Sequence, residues 1–539
     1  RGRGSDDALD RCHGPPGWPS IKLWGGLAVM LGLASLCMML IVHPQWSDRE
    51  LLPYPMARFV EELTELRDNR PFPAIAYSRL FQLGFGLMVL LHLLNGLHVW
   101  FPAFFLHIPL RFDFTSLQVI LPHMAKSEQT AALFNPRFVP SVIAFSFFLT
   151  SSVSLSVGLA MPLWAFVYGT LVAYGVTMQG RTSDFSQHNL SLAGACLGIA
   201  LISLYAGRRH YWDVTRGMVG LPTLSAPPRY CLWAARFLIV LVTGCVLWLT
   251  QAGLDWVLAL PLILLILADY LAIARVNVET GAIVVQPRWI TVSILTTLYG
   301  IEAIGPTAYI ILSMASVLQQ IDLREVVTAM FANALRLGQR TGQVAPPRLG
   351  PMLAGTFIMG GLVALVMTLT LQYNFGLSPM DRHARGFVSQ FTLDRTTTHV
   401  AELSSTGRLE NSMQLEGINR ILHAQPVMDS ALWLGLGIVL VILCALARLR
   451  LHWWPIHPVI FVFWGTWPAG IFGYSFLLGW LIKSALVKCT GSKGYHQAKP
   501  LMIGIIAGEL TMSLVLVVIG ATYYLVTGLS PPLYTVFPE

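Results

Sequence analysis

Residues 255–281 read DWVLALPLILLILADYLAIARVNVETG. From Trp256 to Ala268 no side chain is charged, and Leu, Ile, Val and Ala carry the run. A helix crosses a bilayer with about 20 mostly apolar residues. The stretch therefore predicts a span over 255–275, with Asp269, Arg275 and Glu279 near its end and exit. A barrel strand would alternate over about ten residues, and no such alternation is present. Backbone groups in hydrocarbon must find partners within their own segment, which here means a helix.

The same reading extends outward to spans over 21–42, 80–106, 138–156, 158–178, 189–206, 231–251, 255–275, 290–318, 351–374, 430–449, 458–487 and 500–527. The expected fold is an all-α polytopic transmembrane bundle of about twelve spans, some broken or re-entrant. Composition agrees. Over 539 residues, 55% are hydrophobic and 12% charged, against roughly 25% charged in soluble domains. That excludes a soluble enzyme of this size and a disordered chain. The formal charge of +8 sits in loops beside apolar segments, as membrane topology requires. No basic stripe with interleaved aromatics marks a nucleic-acid partner. The seven cysteines are scattered without a CxxC pair and read as small buried hydrophobes.

The domains expected are an N-terminal extramembrane segment 1–20, a transmembrane bundle 21–374 containing an amphipathic segment 45–79, a polar loop or cap 375–428, C-terminal membrane helices 429–528 and a short tail 529–539. The opening RGRGSDDALDRCHGPPGWP is not a signal peptide and reads as a processed or incomplete N-terminus. In 45–79, Ser47-Asp48-Arg49-Glu50 has capping-box spacing. MARFVEELTELR (56–67) reads as an amphipathic helix with Phe59, Leu63 and Leu66 on its apolar face. In 375–428, Asp381, Asp394, Glu402, Glu410 and Glu416 balance Arg382, Arg385, Arg395, Arg408 and Arg420, which argues for an ordered cap or docking surface. The basic loops 207–230 and 487–499 favour one cytoplasmic face, and the arginines of 319–350 argue against it.

Ionisable groups deep in a span are expensive, so each is a candidate site. Glu302 is the only charged residue between Arg288 and Asp322, within YGIEAIGPTAY. Gly300, Gly305 and Pro306 are able to interrupt a membrane helix there and free carbonyls to line a cavity. Glu302 is thus a candidate proton carrier, or else a protonated acid bonded to a neighbouring helix. Glu509, in IIAGELTMS, is a site or half of a pair with Lys483, and Gly504 and Gly508 give its helix a small-residue face. Asp269, Arg275 and Glu279 form a binding or interfacial cluster, in which Arg275 and Glu279 have pairing distance on one helical face. Ser146, Thr150, Ser151, Ser152, Ser154 and Ser156 crowd one apolar run that begins at Asn135-Pro136. They mark a discontinuous helix lining a polar cavity, or hydroxyls bonded back to their own helix. The candidate substrate or proton site is accordingly Glu302, Glu509, Arg275, Glu279, Asp269, Asn135, Ser151 and Ser154. His92, Asn95 and His98 suit interfacial packing. No HExxH, Walker A, GxSxG or GxGxxG motif is present, so no enzyme, cofactor or metal is expected.

Five stretches carry a resemblance: WSDRELLPYPMARFVEEL (46–63), FNPRFVPSVIAFSFFLTSSVSLSVGLAMPLWAFVYG (134–169), ADYLAIARVNVETG (268–281), HPVIFVFWGTWPAGIFGYSFLLGWLIKSALVK (457–488) and YHQAKPLMIGIIAGEL (495–510). In order and spacing they resemble an uncharacterised family of bacterial polytopic membrane proteins, a domain of unknown function distantly similar to the oligopeptide-transporter superfamily. The resemblance implies proton-coupled carriage of peptides or metal chelates, internal repeats, broken helices and a bacterial inner membrane. The sequence leaves two functions open. One is a secondary transporter of a peptide-like or small polar solute. The other is a non-transporting subunit of a membrane complex whose protein partners dock on 375–428 and 45–79. In both, the lipid bilayer is a partner and nucleic acid is not.

Overall fold

Continuous apolarity yields helices wherever glycine, proline and freed backbone groups permit. The computed structural model describes residues 18–537 apart from 65–72, 126–131, 177–185, 283–290, 321–326, 343, 377–388 and 533. The expected segment 1–17, Leu66 of the amphipathic helix, and Asp381, Arg382, His383 and Arg385 of the polar loop lie outside the described residues. Among those described there is no strand, and one isolated bridge pairs Arg111 with Arg137. Nine described helices are long and apolar enough to cross a membrane: Trp18–Arg49, Arg79–Trp100, Ser151–Ala173, Gln187–Ala206, Arg229–Gln251, Trp256–Thr280, Pro346–Asn374, Met428–Arg450 and Trp467–Thr527. Such a set marks an integral membrane protein.

Three local causes separate nine from the expected twelve. The 61-residue helix Trp467–Thr527 is interrupted at Gly491, which has φ +68°. At about 1.5 Å per residue it is far longer than one bilayer needs, and it merges the expected spans 458–487 and 500–527. The region 138–178 is a short helix Pro140–Ser146, a break, and one full helix Ser151–Ala173. The expected span 290–318 is in three pieces, Thr291–Tyr299, Ile301–Ile304 and Pro306–Gln320. Gly300 and Gly305, at φ +79° and +74°, punctuate it with a backbone that side-chain-bearing residues rarely adopt.

The chain divides into two compact units. The first comprises 1–52, 180–275 and 288–438. Its core gathers Leu27, Leu31, Leu258, Leu262, Ile266 and Leu312. Trp248 seals the helix Trp18–Pro44 onto Arg229–Gln251, donating from Nε1 to the Leu23 carbonyl at 2.9 Å. Among the described residues the polar stretch forms three helices in this unit, Ser389–Ser405, Leu409–Gln414 and Asn419–Leu422. The expected capping box is absent: Gln45–Arg49 continues the first helix as a π-turn, and Ser47 Oγ donates to the Asp48 carboxylate at 2.8 Å. The chain has not left the helix at Ser47, so there is no N-terminus to cap.

The second unit comprises 53–179, 276–287 and 439–539. The amphipathic helix runs over Pro55–Thr64. Arg79–Trp100 packs against the last part of Trp467–Thr527 at backbone distance. A Cβ on Gly504 would strike the Phe81 carbonyl, and one on Gly508 would lie 2.7 Å from the Phe85 carbonyl oxygen. The small-residue face expected from Gly504 and Gly508 therefore does what small residues do in membranes.

Candidate functional site

In the first unit the interrupted helix places Glu302 on the four-residue piece Ile301–Ile304. Glu302 is not isolated. Arg408 Nη1 donates to its Oε2 at 3.2 Å, with Glu302 19% and Arg408 53% exposed at the side chain. The expectation of a lone acid in an oily helix is corrected here, because its partner arrives from the polar stretch 106 residues on. Arg420, from the same stretch, is 7% exposed. It pairs with Asp255 and donates to the carbonyls of Ala303 and Ile304. Gln425 and Val427 donate from their backbone nitrogens to Tyr299 and Thr297 carbonyls, each at 2.9 Å. The polar stretch is thus bound to the helix break.

Asp269 is buried rather than interfacial. Its Oδ2 accepts from Gln320 Nε2 at 3.0 Å, while Gln320 Oε1 accepts from the Thr291 backbone at 2.7 Å and from the Thr291 hydroxyl at 2.6 Å. Asp269 Oδ1 has no hydrogen-bond partner among the described residues. Arg275 pairs with Glu50 and lies over the Trp46 ring, 5.4 Å from its centroid.

In the second unit Glu509 is fully buried. Its Oε2 accepts from the Ser141 backbone nitrogen in the first turn of Pro140–Ser146, and its Oε1 has no hydrogen-bond partner among the described residues. The expected pairing with Lys483 is replaced: Lys483 donates to the Leu149 carbonyl, which the break after Ser146 has released from helix bonding. Ser154 is buried and donates across that break to the Ser146 carbonyl at 2.9 Å. Ser156 donates to Ser152 at 2.7 Å and accepts from the His457 backbone nitrogen at 2.7 Å. Both readings of the serine run hold in part: the helix is discontinuous, and the hydroxyls of Ser146, Ser154 and Ser156 serve backbone carbonyls. Ser151 is exposed at the first position of Ser151–Ala173. Glu279 lies 3.4 Å from His457 Nε2. Asn135 Oδ1 accepts from Arg111 at 3.4 Å. His92 Nδ1 is 3.0 Å from the Tyr534 hydroxyl, to which Asn95 Nδ2 donates at 3.3 Å. Burial holds the Tyr534 phenol above its usual range, and the charge of Glu509 pushes the same way against the Asn95 hydrogen bond.

The eight expected residues are divided between the units. Glu302, Asp269 and Arg275 belong to the first, and Glu279, Glu509, Asn135, Ser151 and Ser154 to the second. Among the described residues no group of three His, Cys, Asp or Glu side chains is placed to hold a metal ion. Sequence reading missed Arg420, Asp255, Gln320 and Ser412 as site components. It also missed an internal echo. Asn135-Pro136-Arg137-Phe138-Val139 is matched by Gln286-Pro287-Arg288-Trp289-Ile290, and an interrupted helix follows each. In each helix a backbone nitrogen of the first turn is held by a side-chain oxygen, from Glu509 in one and from the Asp269-bound Gln320 in the other.

No curated protein matches the chain, so the distant likeness to oligopeptide transporters receives no support from comparison. The model of a family of unknown function, DUF6785, matches residues 18–538, and the chain belongs to that family.

Proposed function

We propose that this protein is a proton-coupled secondary transporter of a peptide-like or small polar solute, seated in a bacterial inner membrane, with Glu509 as the proton-bearing group. One observation carries the reading: Glu509 is fully buried at the start of an interrupted helix, with one carboxyl oxygen on the Ser141 nitrogen and the other without a partner among the described residues. A buried acid in a membrane helix is a functional candidate by default, and discontinuous helices are where carriers build ion and solute sites. Asp269, held through Gln320 to the other interrupted helix, supports the same reading. Glu302 gives it less support, since Arg408 pairs with it. Arg408 and Arg420 are engaged within their own unit, which leaves the polar stretch less to offer as a docking surface for a partner.

The test is uptake of a labelled tripeptide mixture into proteoliposomes under an imposed inward proton gradient, with internal pH read by a trapped dye. Wild type is expected to accumulate peptide and acidify its lumen. Glu509→Gln, which keeps an acceptor for the Ser141 nitrogen but has no ionisable carboxyl, is expected to lose gradient-driven uptake and keep its thermal stability. Gradient-driven uptake by that variant at the wild-type rate refutes the assignment.

A further inference from the structure

The interrupted helix of the first unit exposes the carbonyls at the end of Ile301–Ile304. Two of them, Ala303 and Ile304, accept from Arg420 Nη1, the first at 2.9 Å. The Asp255 carboxylate accepts from Nε of the same guanidinium. Beside it, Ser412 is buried and its Oγ has no hydrogen-bond partner among the described residues. Both Ser412 Oγ and Arg420 Nη1 border the space that a Cβ on Gly305 would take, at 3.3 and 3.6 Å from it. Two helix-end carbonyls, one carboxylate and one free hydroxyl are all acceptors, converging where the helix is broken. The C-terminal end of a helix favours positive charge, and unwound carbonyls in membrane helices coordinate cations. The cation in place is a side chain of this chain, borne on the short helix Asn419–Leu422.

We propose that Ala303 O, Ile304 O, Asp255 and Ser412 form a binding site for a guanidinium-class cation, which Arg420 fills as a tethered ligand. Arg420 is planar and donates in a fork, which matches acceptors set around it better than a point charge does. A free solute bearing such a group competes with Arg420 for these acceptors. Where it wins, the hold of residues 409–422 on the helix break is loosened, while the backbone bonds from Gln425 and Val427 to Tyr299 and Thr297 remain. The inference does not rest on proton coupling, since no proton or solute flux enters it.

The test is chemical rescue on the full chain in detergent, read as thermal unfolding. Arg420→Ala is expected to unfold several degrees below wild type, because it leaves the Asp255 carboxylate and two carbonyls without their donor. Guanidinium chloride at sub-denaturing, millimolar concentration is expected to recover at least half of that loss. Sodium chloride at equal ionic strength is expected to recover none, and wild type to gain nothing from either salt. In Arg420→Ala/Asp255→Asn the recovery is expected to vanish. Should Arg420→Ala not fold, Arg420→Gln purified in guanidinium is expected to stay monodisperse and to aggregate once the salt is removed by gel filtration. The proposal is overturned if Arg420→Ala is as stable as wild type, or if guanidinium recovers nothing. Equal recovery with sodium or in the double variant also overturns it, as does aggregation of Arg420→Gln whether guanidinium is present or not.

Discussion

Gly84→Ala tests how the second unit is held together. A Cβ at Gly84 would run into the carbonyl oxygen of Leu501 and sit 3.1 Å from the nitrogen of Ile505. Both are backbone atoms of the facing helix, so neither can rotate out of the way, and the helices must separate. Overpacking of this kind costs about 1–3 kcal/mol. Alanine's better helix propensity returns roughly 0.5–1 kcal/mol. The net expectation is a loss of about 1–2 kcal/mol. Gly86 supplies the control: it lies on the same helix and a Cβ there meets nothing within 4 Å, so Gly86→Ala keeps only the propensity gain. The assay is thermal unfolding of both variants in one detergent, followed by tryptophan fluorescence. Gly84→Ala is expected to melt a few degrees below wild type and Gly86→Ala at or above it. Equal melting temperatures for the two variants would show that backbone contact at Gly84 does not hold this helix pair.

Two further outcomes follow from charge. Arg275→Ala leaves Glu50, 16% exposed at its side chain, facing Gln45 with its main cation gone. Breaking a buried pair from one side costs about 3–5 kcal/mol, and Arg275→Ala/Glu50→Gln is expected to recover part of it in a double-mutant cycle of unfolding free energies. Asp213, on the amphipathic helix Arg208–Met218, is held below the usual carboxylate range. The Ser225 hydroxyl is the main cause, with the Leu224 and Ser225 backbone nitrogens and the Arg49 charge adding to it. A lowered folded pKa means the unfolded chain binds more protons in that range, so its stabilisation is full above the unfolded pKa of about 3.9. It is lost as pH falls through the lower folded value. Melting temperature followed down through the acid range is expected to fall less steeply for Ser225→Ala than for wild type.

The membrane spans were legible because continuous apolarity is a local property, and any window of Trp256–Ala268 contains all of it. The breaks were half legible. Gly300, Gly305 and Pro306 announced one, and the crowded serines announced the other. The partners were not legible, because burial energy depends on what covers a group and not on its neighbours in sequence. Glu302 looked unpaired for want of any cation in its own segment, and its arginine came from a stretch that sequence distance made look independent. An interrupted membrane helix leaves carbonyls as well as side chains to be satisfied, and an acid at the break adds negative charge to an already negative helix end. Such a place calls for cations. Arg408 and Arg420 stand in the charge-balanced polar stretch 375–428 that follows. Reading that charge-balanced stretch as the complement of the glycine-flanked break links two observations that composition alone left separate. The echo of Asn-Pro-Arg-Phe at 135–138 in Gln-Pro-Arg-Trp at 286–289 carries the same logic. Each precedes a helix whose first turn is held by a side-chain acceptor, Glu509 directly in one and Gln320, itself bound to Asp269, in the other, so the buried acids stand at helix starts, where the proposed proton-bearing carboxyl is placed.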